Sequence, residues 1–146
     1  SRPGLTPVKD LIEQAASLGA ANFTATSGRV PERFKLLREA APATFAGYAL
    51  MRAAVMRDKD EGGALDLKTK EFLFVLLDAL AGNRDGALAH LERAVHLGLT
   101  VDELAEGLTQ VIMVGGITTW NLVGADVLGR ALELTAEPPV VPPPLG

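Results

Sequence analysis

One fifteen-residue stretch constrains the fold more than any other part of the sequence. Residues 67–81 read LKTKEFLFVLLDALA, and after the first four residues Glu71 and Asp78 are the only charged side chains in an apolar run. Such a run is typical of a helix that is buried on most of its faces. Asp66 before it and Gly82 after it are residues that commonly begin and end helices. The stretch therefore predicts a central helix over 67–81.

The composition agrees with an all-α fold. Hydrophobic residues make up 48% of the 146 residues, but aromatic residues make up only 5%. Ala, Leu and Val must therefore fill most of the core, which favours close helix packing over a β-sandwich. The length is typical of one domain, so we expect a single domain over residues 1–146.

Proline and glycine positions predict the elements of the N-terminal half. A first helix is expected from about residue 8 to residue 18, with Gly19 as its end. Residues 20–29 are rich in Thr, Ser, Ala and Gly and lack helical periodicity, so they are predicted to form a loop that could lie over a site. Pro31 and Pro42 each suit the first turn of a further helix.

Capping residues predict the helices of the C-terminal half. Asn83 suits the N-cap of a helix over 84–97, which would form a hairpin with the central helix. Thr100 and Glu103 match a capping box, and the helical pattern then continues to about residue 134. Gly115 and Gly116 lower the helix propensity in the middle of that helix, which predicts a kink or a close helix crossing. The proline-rich tail over 138–146 predicts polyproline II structure or disorder.

The composition also excludes several classes of function. The chain has no cysteine, which excludes disulfides, thiolate metal sites and thiol chemistry. The net charge of -4 argues against binding to nucleic acid. No apolar run is long enough for a membrane span, so we expect a cytoplasmic protein that does not bind membranes. Two histidines without metal-ligand spacing predict no metal site.

Two acids on the central helix are the first candidates for chemistry. Glu71 and Asp78 are seven residues apart, so they lie on one face, about 10 Å from each other along the helix axis. A carboxylate beside Phe72 and Phe74 should either be paired or have its pKa raised by desolvation, and a raised pKa makes a carboxyl group a useful proton carrier near neutral pH. The alternative is that Glu71 is a partly exposed residue favoured by the helix dipole. Asp78 is more typical of a structural ion pair or a helix-end contact.

His90 is the second candidate. Its neighbours one helical turn away are mostly small, as at Gly86, Ala87 and Ala94, and small neighbours leave space beside the imidazole. A histidine that faces a cavity next to a buried glutamate could act as a general acid or base near neutral pH. The alternative is a structural histidine. His96 is better explained as a partner of the last helix carbonyls.

The order of these motifs resembles that of the carboxymuconolactone decarboxylase and alkylhydroperoxidase D superfamily. The matching features are LDLKTKEFL at 65–73, the segment 82–98, TVDEL at 100–104, Gln110 and the Gly115–Gly116 pair, and together they span about residues 65–134. The resemblance implies a compact all-α domain with a helix hairpin at its core and a kinked C-terminal helix.

The spacing within this region separates the branches of the superfamily. Peroxidase members place a glutamate nineteen residues before a histidine, with a Cys-x-x-Cys pair between them. Glu71 and His90 keep that spacing, but Asn83 and Gly86 stand at the two cysteine positions. A thiol peroxidase is therefore excluded, and the chain resembles the cysteine-free decarboxylase branch.

What the resemblance implies is a cofactor-independent decarboxylase, or a related lyase or isomerase, acting on a small carboxylated, lactone-like metabolite. His90 would donate the proton and Glu71 would orient it. The residues expected to bind the substrate are Arg84, Arg93, Trp120 and Asn83. No organic cofactor and no metal are expected.

The resemblance also implies self-association, as a homotrimer or a homohexamer. The rival hypothesis is a non-catalytic ligand-binding or oligomeric scaffold member of the same fold. Retention of Glu71 and His90 favours an enzyme, whereas Gly86, which stands where decarboxylases often carry a glutamate, favours the rival.

Overall fold

The computed structural model describes residues 5–136 and residue 144, and every regular element in this part of the chain is helical. The fold class is therefore all-α, as predicted. A short 3-10 helix, Lys59–Glu61, precedes α4, and a π-helical segment, Trp120–Gly124, leads directly into α7. The α-helices are α1 (Leu5–Ser27), α2 (Glu32–Ala40), α3 (Pro42–Val55), α4 (Leu67–Ala81), α5 (Arg84–His96), α6 (Val101–Gly115) and α7 (Ala125–Thr135).

The chain divides into two compact units at the boundary between Leu67 and Lys68. In the first unit, α1 and α2 pack against α3. Its core contains Phe23 from α1 and Phe45, Ala46 and Ala49 from α3. The expectation of one domain over 1–146 stays a prediction. The proline-rich tail predicted over 138–146 lies, apart from Pro144, outside the described residues.

The first helix is longer than the sequence predicted. α1 continues past Gly19 as far as Ser27, so the prediction of a loop over 20–29 that could cover a site is wrong for residues 20–27. Phe23 is buried in the core of the first unit, and this burial outweighs the low helix propensity of its neighbours. The helix ends at Ser27, and the next residue, Gly28, has a φ of 81°, a value that favours glycine.

The second unit is built on the predicted helix hairpin. α4 has the predicted bounds, α5 begins at the predicted residue and ends one residue before the predicted end, and Gly82 at the turn has a φ of 76°. The side chain of Asn83 accepts a hydrogen bond from the Gly86 backbone N–H, as predicted for an N-cap. Thr100 and Glu103 form the predicted capping box at the start of α6. The hydrophobic core of this unit includes Val75, Ala79, Ala87, Leu91, Leu104, Leu108, Val123 and Val127.

The prediction of one long, kinked helix after Thr100 is wrong, because this part of the chain forms separate helices. α6 ends at Gly115, and Gly116 then adopts a φ of 86° that ends the helical path. At Gly115 a Cβ atom would lie 2.6 Å from Cδ1 of Leu80 on α4, so the Leu80 side chain packs against this glycine, and the predicted close helix crossing stays a prediction.

α4 is less buried than its sequence predicted. Val75 and Ala79 face the core, but Leu73, Leu77 and Leu80 are exposed. The three leucines recur at helical spacing and form one apolar face, which we call the α4 leucine face. Within the described residues, no helix combines the length and the apolar character needed to cross a bilayer.

Candidate functional site

The α4–α5 hairpin brings Glu71 and His90 into direct contact. His90 Nδ1 lies 2.6 Å from Glu71 Oε2, and the Glu71 carboxylate is almost completely buried. Because α4 and α5 run antiparallel from the turn at Gly82, the nineteen-residue spacing places the two side chains side by side. Glu71 is therefore buried and paired with another side chain. It is not the partly exposed residue, favoured by the helix dipole, of the alternative interpretation.

Arg93 completes this cluster from the next turn of α5. Its Nε donates to Glu71 Oε1 over 3.1 Å, so Glu71 has one partner on each oxygen. A guanidinium that donates to a carboxyl group favours its ionised form, and an ionised carboxylate can only accept hydrogen bonds. The proton between His90 and Glu71 is therefore assigned to Nδ1 of His90. Arg93 Nη2, 2.9 Å from that nitrogen, is then a close contact, because a protonated Nδ1 cannot accept.

Two further residues of α4 lie against the imidazole of His90. The His90 ring stacks on the Phe74 ring, with 4.6 Å between centroids and 20° between planes. Nε2 lies 3.9 Å from Oδ2 of Asp78. Since Nδ1 is hydrogen-bonded to Glu71, Nε2 is the nitrogen that can exchange a proton with another molecule.

Asp78 is held close to His90 by the turn between the helices. Asn83 Nδ2 donates to Asp78 Oδ1 over 3.3 Å. Gly86 provides the space, because a Cβ atom there would lie 2.6 Å from Asp78 Oδ2. The helix-end contact expected for Asp78 is therefore present, and its second oxygen faces the imidazole.

The remaining candidates occupy different positions in the second unit. Arg84 Nε donates to Asp126 Oδ2 over 2.6 Å, and this hydrogen bond is the main reason that the pKa of Arg84 lies above its ordinary value. Trp120 packs against the core and lines an apolar pocket of about 290 Å³ with residues of α6 and α7. Asn83 contacts Asp78 and thereby adjoins the His90 cluster. The substrate-binding roles of these residues and of Arg93 stay predictions.

Sequence reasoning did not predict that Phe74 and Asp78 lie against the imidazole of His90. Phe74 was treated only as an apolar neighbour of Glu71, and nothing in the sequence pattern distinguishes it as a stacking partner. Asp78 was named as a candidate acid, and its approach to His90 could have been predicted, because its spacing of two turns from Glu71 places both acids along the face that meets α5. The imidazole of His90 fills the gap between them.

The two ring nitrogens of His90 can have different roles, since one holds a proton and the other can exchange a proton. Glu71 fixes the proton on Nδ1, Arg93 neutralises the buried carboxylate, and the Phe74 ring restricts the imidazole plane. Nε2 is left to donate a proton when the imidazole is charged or to accept one when it is neutral. General acid and base catalysis needs this division of roles between the two ring nitrogens.

Comparisons with known proteins agree with the fold. The model of the carboxymuconolactone decarboxylase family matches residues 42–125, which include Glu71, His90 and Arg93. A crystal structure from Burkholderia xenovorans LB400, provisionally named a carboxymuconolactone decarboxylase, is 33% identical with a TM-score of 0.77, over 84% of this chain and 92% of that chain. A search of curated proteins finds no match. The chain therefore belongs to the carboxymuconolactone decarboxylase family.

Proposed function

We propose that the protein is a cofactor-independent decarboxylase, or a related lyase or isomerase, that acts on a small carboxylated, lactone-like metabolite by proton transfer. The observation that carries the proposal is the contact of 2.6 Å between His90 Nδ1 and the buried Glu71 carboxylate. This contact leaves Nε2 as the exchanging nitrogen. Membership of the decarboxylase family supports the reaction class.

His90 is the proton donor in the proposed reaction. The bond between the ring carbon and its carboxylate breaks, carbon dioxide leaves, and the electron pair stays on the ring as a dienolate. The imidazolium then gives its Nε2 proton to a carbon of the dienolate, which yields the neutral lactone. His90 regains a proton from solvent, so the cycle consumes one proton and releases one carbon dioxide.

Glu71 and Arg93 prepare His90 for this step. Glu71 accepts from Nδ1 and keeps the imidazole in one tautomer and one orientation. Arg93 balances the charge of Glu71, so that the carboxylate can remain ionised while it is buried. If Nε2 first removes a proton from the substrate and then returns it at another carbon, the same cluster isomerises a ring without loss of carbon dioxide.

Arg84 is the better of the two arginine candidates for the substrate carboxylate. Arg93 donates to the buried Glu71, whereas Arg84 donates to the half-exposed Asp126 and 52% of the Arg84 side chain is itself exposed. A guanidinium can bind a carboxylate through two parallel hydrogen bonds. Arg84 directly follows Asn83, whose amide adjoins the His90 cluster through Asp78.

Proton exchange in candidate substrates tests the proposal. A panel of carboxylated lactones is followed by proton NMR in deuterated buffer, with wild-type protein, His90→Gln and the control His96→Gln, all matched for folding by circular dichroism. We expect exchange or carbon dioxide release with wild type and His96→Gln, and a loss of about 100-fold or more with His90→Gln, the usual contribution of a positioned histidine.

Two results would overturn the catalytic proposal. One is a His90→Gln variant as active as wild type. The other is the absence of exchange and turnover across the whole panel, which would favour the rival hypothesis of a non-catalytic ligand-binding or scaffold protein.

We further propose that the chain self-associates as a trimer or a hexamer. The α4 leucine face supports this proposal, because Leu77 is 58% exposed and lies between two further exposed leucines on the same helix. Contiguous exposed apolar surface of this kind is typical of a protein interface.

A further inference from the structure

A second carboxylate faces the nitrogen of His90 that exchanges protons. Asp78 Oδ2 lies 3.9 Å from Nε2, on the opposite side of the imidazole from Glu71. About one fifth of the Asp78 side chain is exposed, so Asp78 lies nearer to solvent than the buried Glu71. The imidazole is thus placed between two acids that approach different nitrogens.

The charges around His90 balance only when the imidazole is protonated. Glu71 and Asp78 face it from α4, and Arg93 faces it from its own helix. Arg93 neutralises Glu71, which leaves the charge of Asp78 without a counterion among these groups until Nε2 gains a proton. The charged residues of α7 that face α5 form ion pairs with residues of α5 other than His90. Asp126 pairs with Arg84, and Arg130 pairs with Glu92.

The local sequence holds Asp78 in this place. Asn83 donates to Oδ1, which leaves Oδ2 directed at the imidazole. Any side chain at Gly86 would collide with this arrangement, because its Cβ would meet both Asp78 Oδ2 and the Asn83 amide. Gly86 also lies only one helical turn before His90, so the lack of a side chain there is what allows the carboxylate to come close.

We infer that Asp78 is a positioning residue that keeps His90 in its proton-donating form. The negative charge next to Nε2 favours the imidazolium before the substrate arrives and helps His90 to regain a proton from solvent after each transfer. This role rests on the proposed function, but the effect of Asp78 on the His90 proton can be measured without any substrate.

The first experiment is an NMR titration of the imidazole nitrogens. The chain has two histidines, so His96→Gln assigns the His90 signals. We expect Asp78→Asn to move the His90 titration midpoint to lower pH by about 0.5–1 unit, a loss of about three- to tenfold in proton affinity. Asp102→Asn, which removes an equal charge from the first turn of α6, should leave the midpoint in place.

Gly86→Ala is an independent variant in case Asp78→Asn does not fold. It keeps the charge of Asp78 but displaces the carboxylate, so it should move the His90 midpoint in the same direction. If folded Asp78→Asn and Gly86→Ala both titrate like wild type, the inference is wrong.

The second experiment separates the inference from the proposed function. A general acid loses activity as the pH rises past its titration midpoint, so Asp78→Asn should shift the high-pH limb of the exchange rate to lower pH, as it shifts the NMR midpoint. A wild-type protein without exchange would reject the proposed function alone, while the titration would still decide the coupling. An active wild type whose high-pH limb is unmoved by Asp78→Asn would reject the inference alone.

Discussion

Glu71 is the residue on which the candidate site depends. A buried carboxylate is costly unless it is paired and hydrogen-bonded, and Glu71 meets this condition with one partner on each oxygen. Only 1% of its side chain is exposed, whereas Arg93 and His90 keep partial exposure. The acid is thus the fixed member of the cluster, and its partners reach towards solvent from it.

Removal of Arg93 should therefore destabilise the fold, because the carboxylate of Glu71 would stay buried without its guanidinium partner. We expect Arg93→Met to lower the free energy of unfolding by about 2–4 kcal/mol, somewhat less than for a fully buried pair because Arg93 is partly exposed. Adding Glu71→Gln to Arg93→Met should restore at least about 1 kcal/mol, because the uncompensated charge is then gone. Chemical denaturation measures both values.

Arg130 offers a matched control for this experiment. It also bonds two carboxylates, those of Glu92 and Glu133, but all three side chains are at least 40% exposed. Arg130→Met should cost much less than Arg93→Met, because ion pairs between exposed side chains contribute little to stability. If Arg93→Met costs no more than this control, or if the double variant is no more stable than Arg93→Met, the described role of Arg93 is contradicted.

At the scale of the elements, glycines decide how closely helices approach. Gly19 lies in the middle of α1, where a side chain would collide with Ala49 of α3. Gly47 lies in the middle of α3 as well, but a Cβ there would meet open space. The two positions share a helical backbone and differ in packing, which makes them a matched pair.

Substitution of these glycines should have opposite effects. Gly19→Ala should lower the free energy of unfolding by about 1–3 kcal/mol, the usual cost of overpacking. Gly47→Ala should be neutral or stabilise by up to about 1 kcal/mol, because alanine has the higher helix propensity. Thermal and urea denaturation test this prediction, and a stabilising Gly19→Ala would contradict the close α1–α3 packing.

At the scale of the whole molecule, the α4 leucine face bears on assembly. Leu77→Glu places a charge at its centre, so we expect the proposed trimer or hexamer to dissociate at micromolar concentration, as measured by light scattering. Leu36→Glu changes an exposed leucine of α2 and should leave the assembly intact. A wild-type chain that is monomeric would reject self-association, and an assembly that survives Leu77→Glu would reject this face as the interface.

Much of the fold could be predicted from local signals. The bounds of α4 and α5, the Asn83 cap and the capping box of Thr100 and Glu103 were all visible, because each depends on residues close together in the chain. Gly19 misled the prediction, since glycine in a sequence does not reveal whether it ends a helix or allows another helix to approach. The contact with Ala49, thirty positions later, resolves that ambiguity.

The sequence by itself determined the all-α class, the hairpin and the two members of the candidate pair, Glu71 and His90. The class and the hairpin follow from helical periodicity and capping, which are local properties of the chain. The pairing of Glu71 with His90 follows from the resemblance to the family, whose members keep the same nineteen-residue spacing. Only the tertiary structure decided that Arg93 pairs with Glu71 and that Asp78 faces Nε2. The reason is physical, because side-chain partners across a helix hairpin depend on the rotation and the separation of the two helices. For Asp78, the space left by Gly86 allows its carboxylate to lie close to α5.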